Sequence, residues 1–454
     1  MRTCVSSFVA VLLSWSIASN LSAGELTETE AIRALEKAVH FFRNEVSAQG
    51  GYLWRCSADL SKREGEGRAG PLTAWVQPPG TPTVGDGYLV AYRLSGRSFL
   101  LDAARETGLA LVRGQLRSGG WDYRIEFDPK QRKRYAYRVD GESAGRRNVS
   151  TLDDDNTQSA IRFLMHLDEA LGFRDAEIHE AVQYALDSLV KVQYPNGAWP
   201  QRFTEPPDPK RFPVKRASYP KSWSRTWPHK NYASYYTFND NTIADVIRTL
   251  LEAAEIYKDG RYLAAARKGG DFILLAQMPD PQPAWAQQYD ADMHPAWARK
   301  FEPPAITGGE SQGVMRILMT LYQHTADRKY LEPIPRALDY LKRSLRPDGR
   351  LARFYELRTN RPLYFTKDYQ LTYSDADMPT HYAFVVPSTL DRIASQYEAL
   401  LKTPRSELKP SRRRARPVRW SRSLEKQARS VVAAMDGRGA WVESGTAPPI
   451  RPSV

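Results

Sequence analysis

The chain has 454 residues, and 42% of them are hydrophobic, enough to bury a sizeable core in one large domain or in two to three ordinary ones. Its formal charge of +13 favours acidic partners, while two cysteines leave no room for a disulfide framework or a cysteine-based metal site. Nucleic acid is set aside as a partner, because there is no RNA-binding sheet signature, no zinc-finger spacing and no basic recognition helix.

Arg2, the apolar run from Phe8 to Leu13 and the small residues around Ala23 compose a secretory signal peptide over residues 1–23. That run is too short to span a bilayer, and no later stretch approaches the roughly 20 apolar residues of a membrane helix. The expectation is a secreted or periplasmic monomer without a membrane span, with residues 24–454 folded as one domain. Cys4 leaves with the leader, so Cys56 stands alone. For an exported basic protein, an acidic polysaccharide is the most available polyanion.

Further along, one plan repeats: an acidic or polar start, a helix, a short turn, a second helix, and a glycine- or proline-bearing loop with an aromatic residue. The first copy runs from Thr83-Val84-Gly85-Asp86 to Gly119-Gly120-Trp121, and the second from Asp155-Asn156-Thr157 to Asn196-Gly197-Ala198-Trp199. The third opens at Asn239-Asp240-Asn241 and ends at Ala284-Trp285, and the fourth runs from Gly308-Gly309-Glu310 to Asp348-Gly349-Arg350. Partial copies flank them at Glu28–Tyr52 and Leu424–Trp441. Apolar residues such as Ile161, Leu164, Leu167 and Leu171 follow helical spacing, and strand signals are sparse. These features predict an all-α fold of repeated helical hairpins closed into an α/α toroid, with the acidic helix starts gathered on one rim.

Two stretches depart from the repeat. Residues 203–232 are rich in Pro, Lys, Arg and Trp and read as a long basic, aromatic loop able to bind an anionic sugar polymer or to stand as a surface excursion. Residues 403–423 form a basic linker containing Arg412-Arg413-Arg414-Ala415-Arg416.

The chemistry concentrates in Asp153-Asp154-Asp155 and Asn239-Asp240-Asn241. Helix capping accounts for one carboxylate per helix, whereas three adjacent aspartates repel one another unless a cation neutralises them. Clustered hard oxygens suit Ca²⁺ or Mg²⁺. Arg299, among aromatics, can clamp a carboxylate or pair with Glu302. Arg353, Arg358 and Arg361 add positive charge to the same rim.

Thr151-Leu152-Asp153, Tyr194-Pro195-Asn196-Gly197-Ala198-Trp199-Pro200-Gln201 and Tyr236-Thr237-Phe238-Asn239-Asp240-Asn241 resemble motifs of the pectate lyases of polysaccharide lyase family ten. So do Ala286-Gln287-Gln288-Tyr289-Asp290, Pro295-Ala296-Trp297-Ala298-Arg299-Lys300-Phe301-Glu302, Gly308-Gly309-Glu310-Ser311 and Thr359-Asn360-Arg361-Pro362, in the family's order. The resemblance implies an α/α toroid that cleaves polygalacturonate by Ca²⁺-dependent β-elimination. It implies catalytic roles for Arg299, as the proposed base, and for Asp240 and Asp153, the two aspartates also serving as metal ligands. Arg361, Arg353, Trp199, Asn239 and Glu310 are then the substrate-binding residues. The sequence departs from the family pattern at Asp153-Asp154-Asp155-Asn156-Thr157 and in its longer, more basic 203–232 loop. The competing readings are a glycoside hydrolase using Asp153 and Asp240 as acid and base, and a polysaccharide-binding protein that has lost catalysis.

Overall fold

The computed structural model describes residues 26–143, 145–408 and 421–444. The leader at 1–23 and the Arg412–Arg416 run lie outside the described residues. The fold class is all-α, built from helical hairpins, with strands among the described residues confined to short pairs and one small sheet. Among the described residues no helix is long and apolar enough to cross a membrane.

The chain divides into two compact units. The first takes the described residues of Met1–Ser150, Ser159–Ala185 and Arg412–Val454. Its helices α1 (Glu28–Phe41), α2 (Thr81–Ser95) and α3 (Ser98–Gly114) are joined by the last helix of the chain, Arg422–Ala433, which lies against α1. Thr27 starts α1 with a capping box, its hydroxyl taking the Glu30 N–H while the Glu30 carboxylate takes the Thr27 N–H at 2.8 Å. The two expected partial repeats at the chain's ends are therefore packed against each other.

The second unit takes Thr151–Gln158 and Leu186–Ser411. Most of α4 (Asn156–Ala170) and α5 (Ala176–Lys191) belongs to the first unit, the start of α4 and the end of α5 to the second. The second unit holds the hairpin α6 (Thr242–Tyr257) and α7 (Gly260–Ala276), then α8 (Glu310–Thr325), α9 (Ile334–Arg343) and α10 (Leu390–Lys402). Helix α6 buries Ile243, Val246, Ile247, Leu250 and Leu251, a spacing of three and four that gives one apolar face. Each such aliphatic side chain contributes about 1.5–3 kcal/mol on burial.

Four tryptophans of the repeat loops share one job. Trp121, Trp199, Trp285 and Trp441 each donate the indole N–H to a main-chain carbonyl of the preceding helix, at Leu111 (2.8 Å), Leu189 (2.8 Å), Ile273 (2.9 Å) and Val431 (2.7 Å). This satisfies a carbonyl at the helix's end and fixes the loop over it. Gly197 belongs to the same device: its φ is +96°, and a Cβ there would stand 2.0 Å from the Lys268 carbonyl oxygen. Gly197→Ala is expected to cost about 2–4 kcal/mol, read as a lower midpoint in urea denaturation.

Short strands position the helix starts of the second unit. Strands β1 (Tyr236–Thr237) and β2 (Gln288–Tyr289) pair antiparallel, Tyr236 opposite Tyr289 and Thr237 opposite Gln288. A four-stranded sheet has the order β6-β5-β4-β3, with β3 at Ala305–Thr307, β4 at Phe354–Glu356, β5 at Pro362–Phe365 and β6 at Leu371–Thr372. Its register sets Thr307 opposite Phe354 and Phe354 opposite Leu363. Thr237 and Thr307 thus stand at strand ends, each leading straight into a helix.

Candidate active site

Three turns in the second unit share one geometry. In the first, the Thr151 hydroxyl takes the Asp153 N–H at 3.2 Å; in the second, Thr237 takes the Asn239 N–H at 3.2 Å; in the third, Thr307 takes the Gly309 N–H at 3.2 Å. The residue that follows is acidic every time: Asp154, Asp240 and Glu310. Asp154 (φ 51°) and Asp240 (φ 48°) occupy the left-handed region, which aspartate tolerates at a cost of order 1 kcal/mol. The first two turns touch each other, and the second touches α8. At that last approach, a Cβ on Gly313 would stand 2.5 Å from the Asn241 side-chain oxygen. A Gly→Ala change inside a helix normally stabilises by about 1 kcal/mol. Here the Asn241 amide has to turn aside to admit the methyl, so the gain is expected to be offset to within about 1 kcal/mol, and Gly313→Ala is expected to lower activity by displacing Asn241 beside Asp240.

Asp153, Asp154 and Asp240 can each offer a carboxylate oxygen, and these atoms lie within 4.8 Å of one another. Asp240 is pushed up to about 7, first by burial and then by the charges of Asp153 and Glu310, with Arg299 acting in the opposite direction. An amide network holds it in place. Asn239 donates to the Asp240 carboxylate at 2.6 Å, Gln287 donates to Asn239 Oδ1 at 2.8 Å, and the same Gln287 amide nitrogen reaches Glu302 Oε1 at 2.7 Å.

Glu302 is the hub on the basic side. It is 1% exposed and accepts from the Arg299 guanidinium (2.5 Å), the Arg299 N–H (3.0 Å), Gln287 and the Tyr382 hydroxyl (3.1 Å). Burial works to raise the Glu302 carboxyl, but Arg299 overrides it and holds the group below its ordinary range. Burial alone would pull Arg299 down; the Glu302 carboxylate more than reverses this and lifts it above the usual arginine range. Arg353 pairs with buried Glu310 at 2.7 Å, reaches the Tyr382 hydroxyl at 3.2 Å and is likewise lifted. Glu310 also accepts from Thr307 of its own turn. Carboxylates of Asp153, Asp154, Asp240, Glu302 and Glu310 are thereby gathered with the two guanidinium groups of Arg299 and Arg353, leaving acid in excess within this cluster.

The structure brings Asp153, Asp240, Asn239, Glu310, Arg299 and Arg353 into one neighbourhood. Asn239, 2% exposed, holds Asp240, and Glu310, 7% exposed, holds Arg353. Arg361 stands apart, exposed and stacked 3.4 Å over the Tyr373 ring. Trp199 corrects the sequence reading as a substrate-binding residue. It is fully buried, its N–H is taken by Leu189, and its ring packs where a Cβ on Gly269 would meet it at 2.6 Å, leaving no face for a sugar. Asp154 stood in the acidic run of the sequence but not among the expected metal ligands, although aligning Thr151-Leu152-Asp153-Asp154 on Thr237-Phe238-Asn239-Asp240 identifies it as the counterpart of Asp240. Tyr382 was missed and carries no such signal.

No curated protein matches the chain. A family 10 polysaccharide lyase from Cellvibrio cellulosa is similar over 64% of this chain and 90% of its own, with 23% identity and a TM-score of 0.47. A mutant of that lyase in complex with trigalacturonic acid gives 22% identity over 65% and 91%, with a TM-score of 0.46. The cellobiose 2-epimerase of Spirochaeta thermophila gives 13% identity over 90% and 86%, with a TM-score of 0.45. The family profile described as pectic acid lyase matches residues 115–344, just over half of the chain and including the turns that carry Asp153, Asp154, Asp240 and Glu310 as well as Arg299 and Glu302. On that match the hydrolase and binding-only readings fall away, and the chain belongs to the pectic acid lyase family, as a polysaccharide-cleaving pectate lyase.

Proposed function

We propose that this enzyme cleaves polygalacturonate by Ca²⁺-assisted β-elimination, with the cation held by Asp153, Asp154 and Asp240. The observation that carries the reading is the convergence of these three carboxylates from two sister turns. The donor set fits a hard divalent ion, and the Asp240 carboxyl, raised first by burial and then by the charges of Asp153 and Glu310, would gain from a cation beside it. A bound Ca²⁺ supplies charge to the uronate carboxylate, which acidifies the neighbouring C5 proton.

The chain's own groups do the rest. Arg353, fixed by Glu310 and Tyr382, presents a guanidinium to developing negative charge on the uronate. As the proposed base, Arg299 in its neutral form would take the C5 proton; the C–H electron pair then forms the C4–C5 double bond, the bond from C4 to the glycosidic oxygen breaks, and that oxygen leaves with the electron pair and takes a proton from solvent. A second reading is favoured by one observation: Glu302 holds Arg299 protonated in this arrangement, which suits a cationic clamp on the carboxylate. The leader-like stretch from Arg2 to Ala23 supports action outside the cytoplasm.

Incubation of the mature chain with polygalacturonate is expected to give an ultraviolet-absorbing unsaturated product, and chelation is expected to stop it. A product without that absorbance would overturn the proposal. Arg299→Lys separates the two roles: a base with a lower pKa moves the ascending limb of the pH profile to lower pH, whereas a clamp raises KM and leaves the profile in place.

Stability supplies an independent check on the metal site. Asp240 is raised from 3.8 to about 7, so its folded form favours the proton. The metal-free protein is therefore relatively more stable below the unfolded value, and this contribution is lost as pH rises from about 4 through about 7, on the order of 4 kcal/mol. Added Ca²⁺ is expected to raise Tm clearly more at pH 8 than at pH 5.5, with the difference absent in Asp240→Asn. Equal shifts at both pH values would remove Asp240 from the metal site.

A further inference from the structure

The 203–232 insertion is anchored to the segment that bears Arg299. Trp227 donates its indole N–H to the Ala298 carbonyl at 2.8 Å, and Trp297 returns one to the Ser224 carbonyl at 2.7 Å. Between these anchors and β4 lies a cavity of about 330 Å³, lined among others by Pro220, Lys221, Trp223, Arg225, Glu356 and Arg358. That volume falls within the range of small-ligand sites, about 300–1,000 Å³. The function assigned above uses none of these six residues.

The lining has a definite chemical character. Glu356 is its one carboxylate among the residues that line it, is 7% exposed, and is occupied by Arg225 (2.5 Å), Tyr373 (2.8 Å) and Thr359 (2.5 Å). Lys221 and Arg358 are exposed and bring two further cations. Arg358 is built into position: its backbone sits at φ 71°, its N–H is held by the Gln282 side chain at 2.6 Å, and its guanidinium lies 5.2 Å from the Tyr219 ring of the insertion. Half-buried Trp223 adds an indole beside Arg225, 5.6 Å from ring centre to guanidinium carbon. Arg225 in turn lies 5.1 Å from the Tyr373 ring, on which Arg361 stacks. The cavity is thus linked by direct contacts to Arg361 on one side and to the Arg299 segment on the other.

We infer that the insertion builds an additional uronate subsite, in which Lys221 and Arg358 take the sugar's carboxylate and Trp223 takes the apolar face of its ring. Planar guanidinium and ammonium donors match a carboxylate, and an indole matches the C–H face of a pyranose. The inference rests on the uronate-polymer reading of the function and adds to it: this enzyme grips a longer stretch of chain than its cleavage site spans. Affinity then depends on polymer length through the insertion.

The test is the full mature chain carrying Lys221→Ala and Arg358→Ala together, with Asp240→Asn added to keep the polymer intact during titration. Calorimetry against polygalacturonate is expected to give a Kd about tenfold higher than in Asp240→Asn alone, against a change of about twofold or less for digalacturonate. Trp223→Leu in the same background is expected to repeat the length-dependent loss with Tm maintained, which separates the subsite from misfolding. Equal losses on both ligands, or polymer binding untouched by either variant, would overturn the subsite. An active parent enzyme whose variants bind polymer normally removes the subsite and leaves the lyase reading standing. A parent that binds but yields no unsaturated product, and whose variants still lose polymer, removes the elimination chemistry and keeps the subsite.

Discussion

Asp154→Asn is expected to lower kcat/KM on polygalacturonate by about 10²–10³-fold, as severely as Asp240→Asn, when product is followed by ultraviolet absorbance. Both residues occupy the same place in sister turns, one after the residue whose N–H the threonine hydroxyl takes, and both are held at positive φ. Each contributes an oxygen to the same cluster. An amide in place of either keeps the shape of the turn and removes one unit of negative charge and one strong donor. The loss is expected to shrink as Ca²⁺ is raised, because a weakened site fills at higher concentration. Asp155→Asn supplies the contrast. Its counterpart in the second turn is already an amide, Asn241, and its carboxylate is outside the three-residue group, so less than about a tenfold effect is expected. A mild Asp154→Asn beside a severe Asp155→Asn would reverse the assignment of the ligands.

The comparison of sister turns also explains what the sequence made visible. Periodic apolar residues such as Ile161, Leu164 and Leu167 are fully buried, because a 3.6-residue repeat leaves few other ways to hide them. The Asp153 and Asp240 turns were legible because a repeated fold repeats its local chemistry. Trp199 was misread. The family resemblance set it among the substrate-binding residues, yet Trp121, Trp199 and Trp285 recur because each gives its indole N–H to a main-chain carbonyl of the helix before it. Glu302 was visible only as a neighbour of Arg299, since nothing in a linear sequence says that Gln287, Tyr382 and Arg299 will all converge on one buried carboxylate. Long-range contacts of this kind depend on how the 286–302 loop and the 380–384 segment meet, and neither segment is periodic. The anchoring of the 203–232 insertion through Trp227 and Trp297 was hidden in the same way.

Glu302→Gln carries the second large expectation, because it acts on stability and chemistry together. The wild-type pair is nearly dry on the Glu302 side, and removing one charge leaves Arg299 uncompensated, which costs about 3–5 kcal/mol for a buried pair. Glutamine retains an acceptor for Gln287 or Tyr382, so the lower part of that range is expected, measured as the urea-unfolding free energy at pH 7. The pH dependence follows from the lowered carboxyl. A group whose folded pKa lies below its unfolded value of about 4.5 stabilises the protein above that value and loses this as pH falls through the folded pKa. Wild type and Glu302→Gln are therefore expected to differ most at neutral pH and to converge under acid. The same variant bears on Arg299. With the carboxylate gone, burial is the leading influence on the guanidinium and lowers its pKa toward or below the ordinary range. If Arg299 takes the C5 proton, the ascending limb of kcat moves to lower pH even as the fold weakens. If it clamps the uronate carboxylate, kcat keeps its pH profile and KM alone rises, because the guanidinium stays charged and only its position is lost.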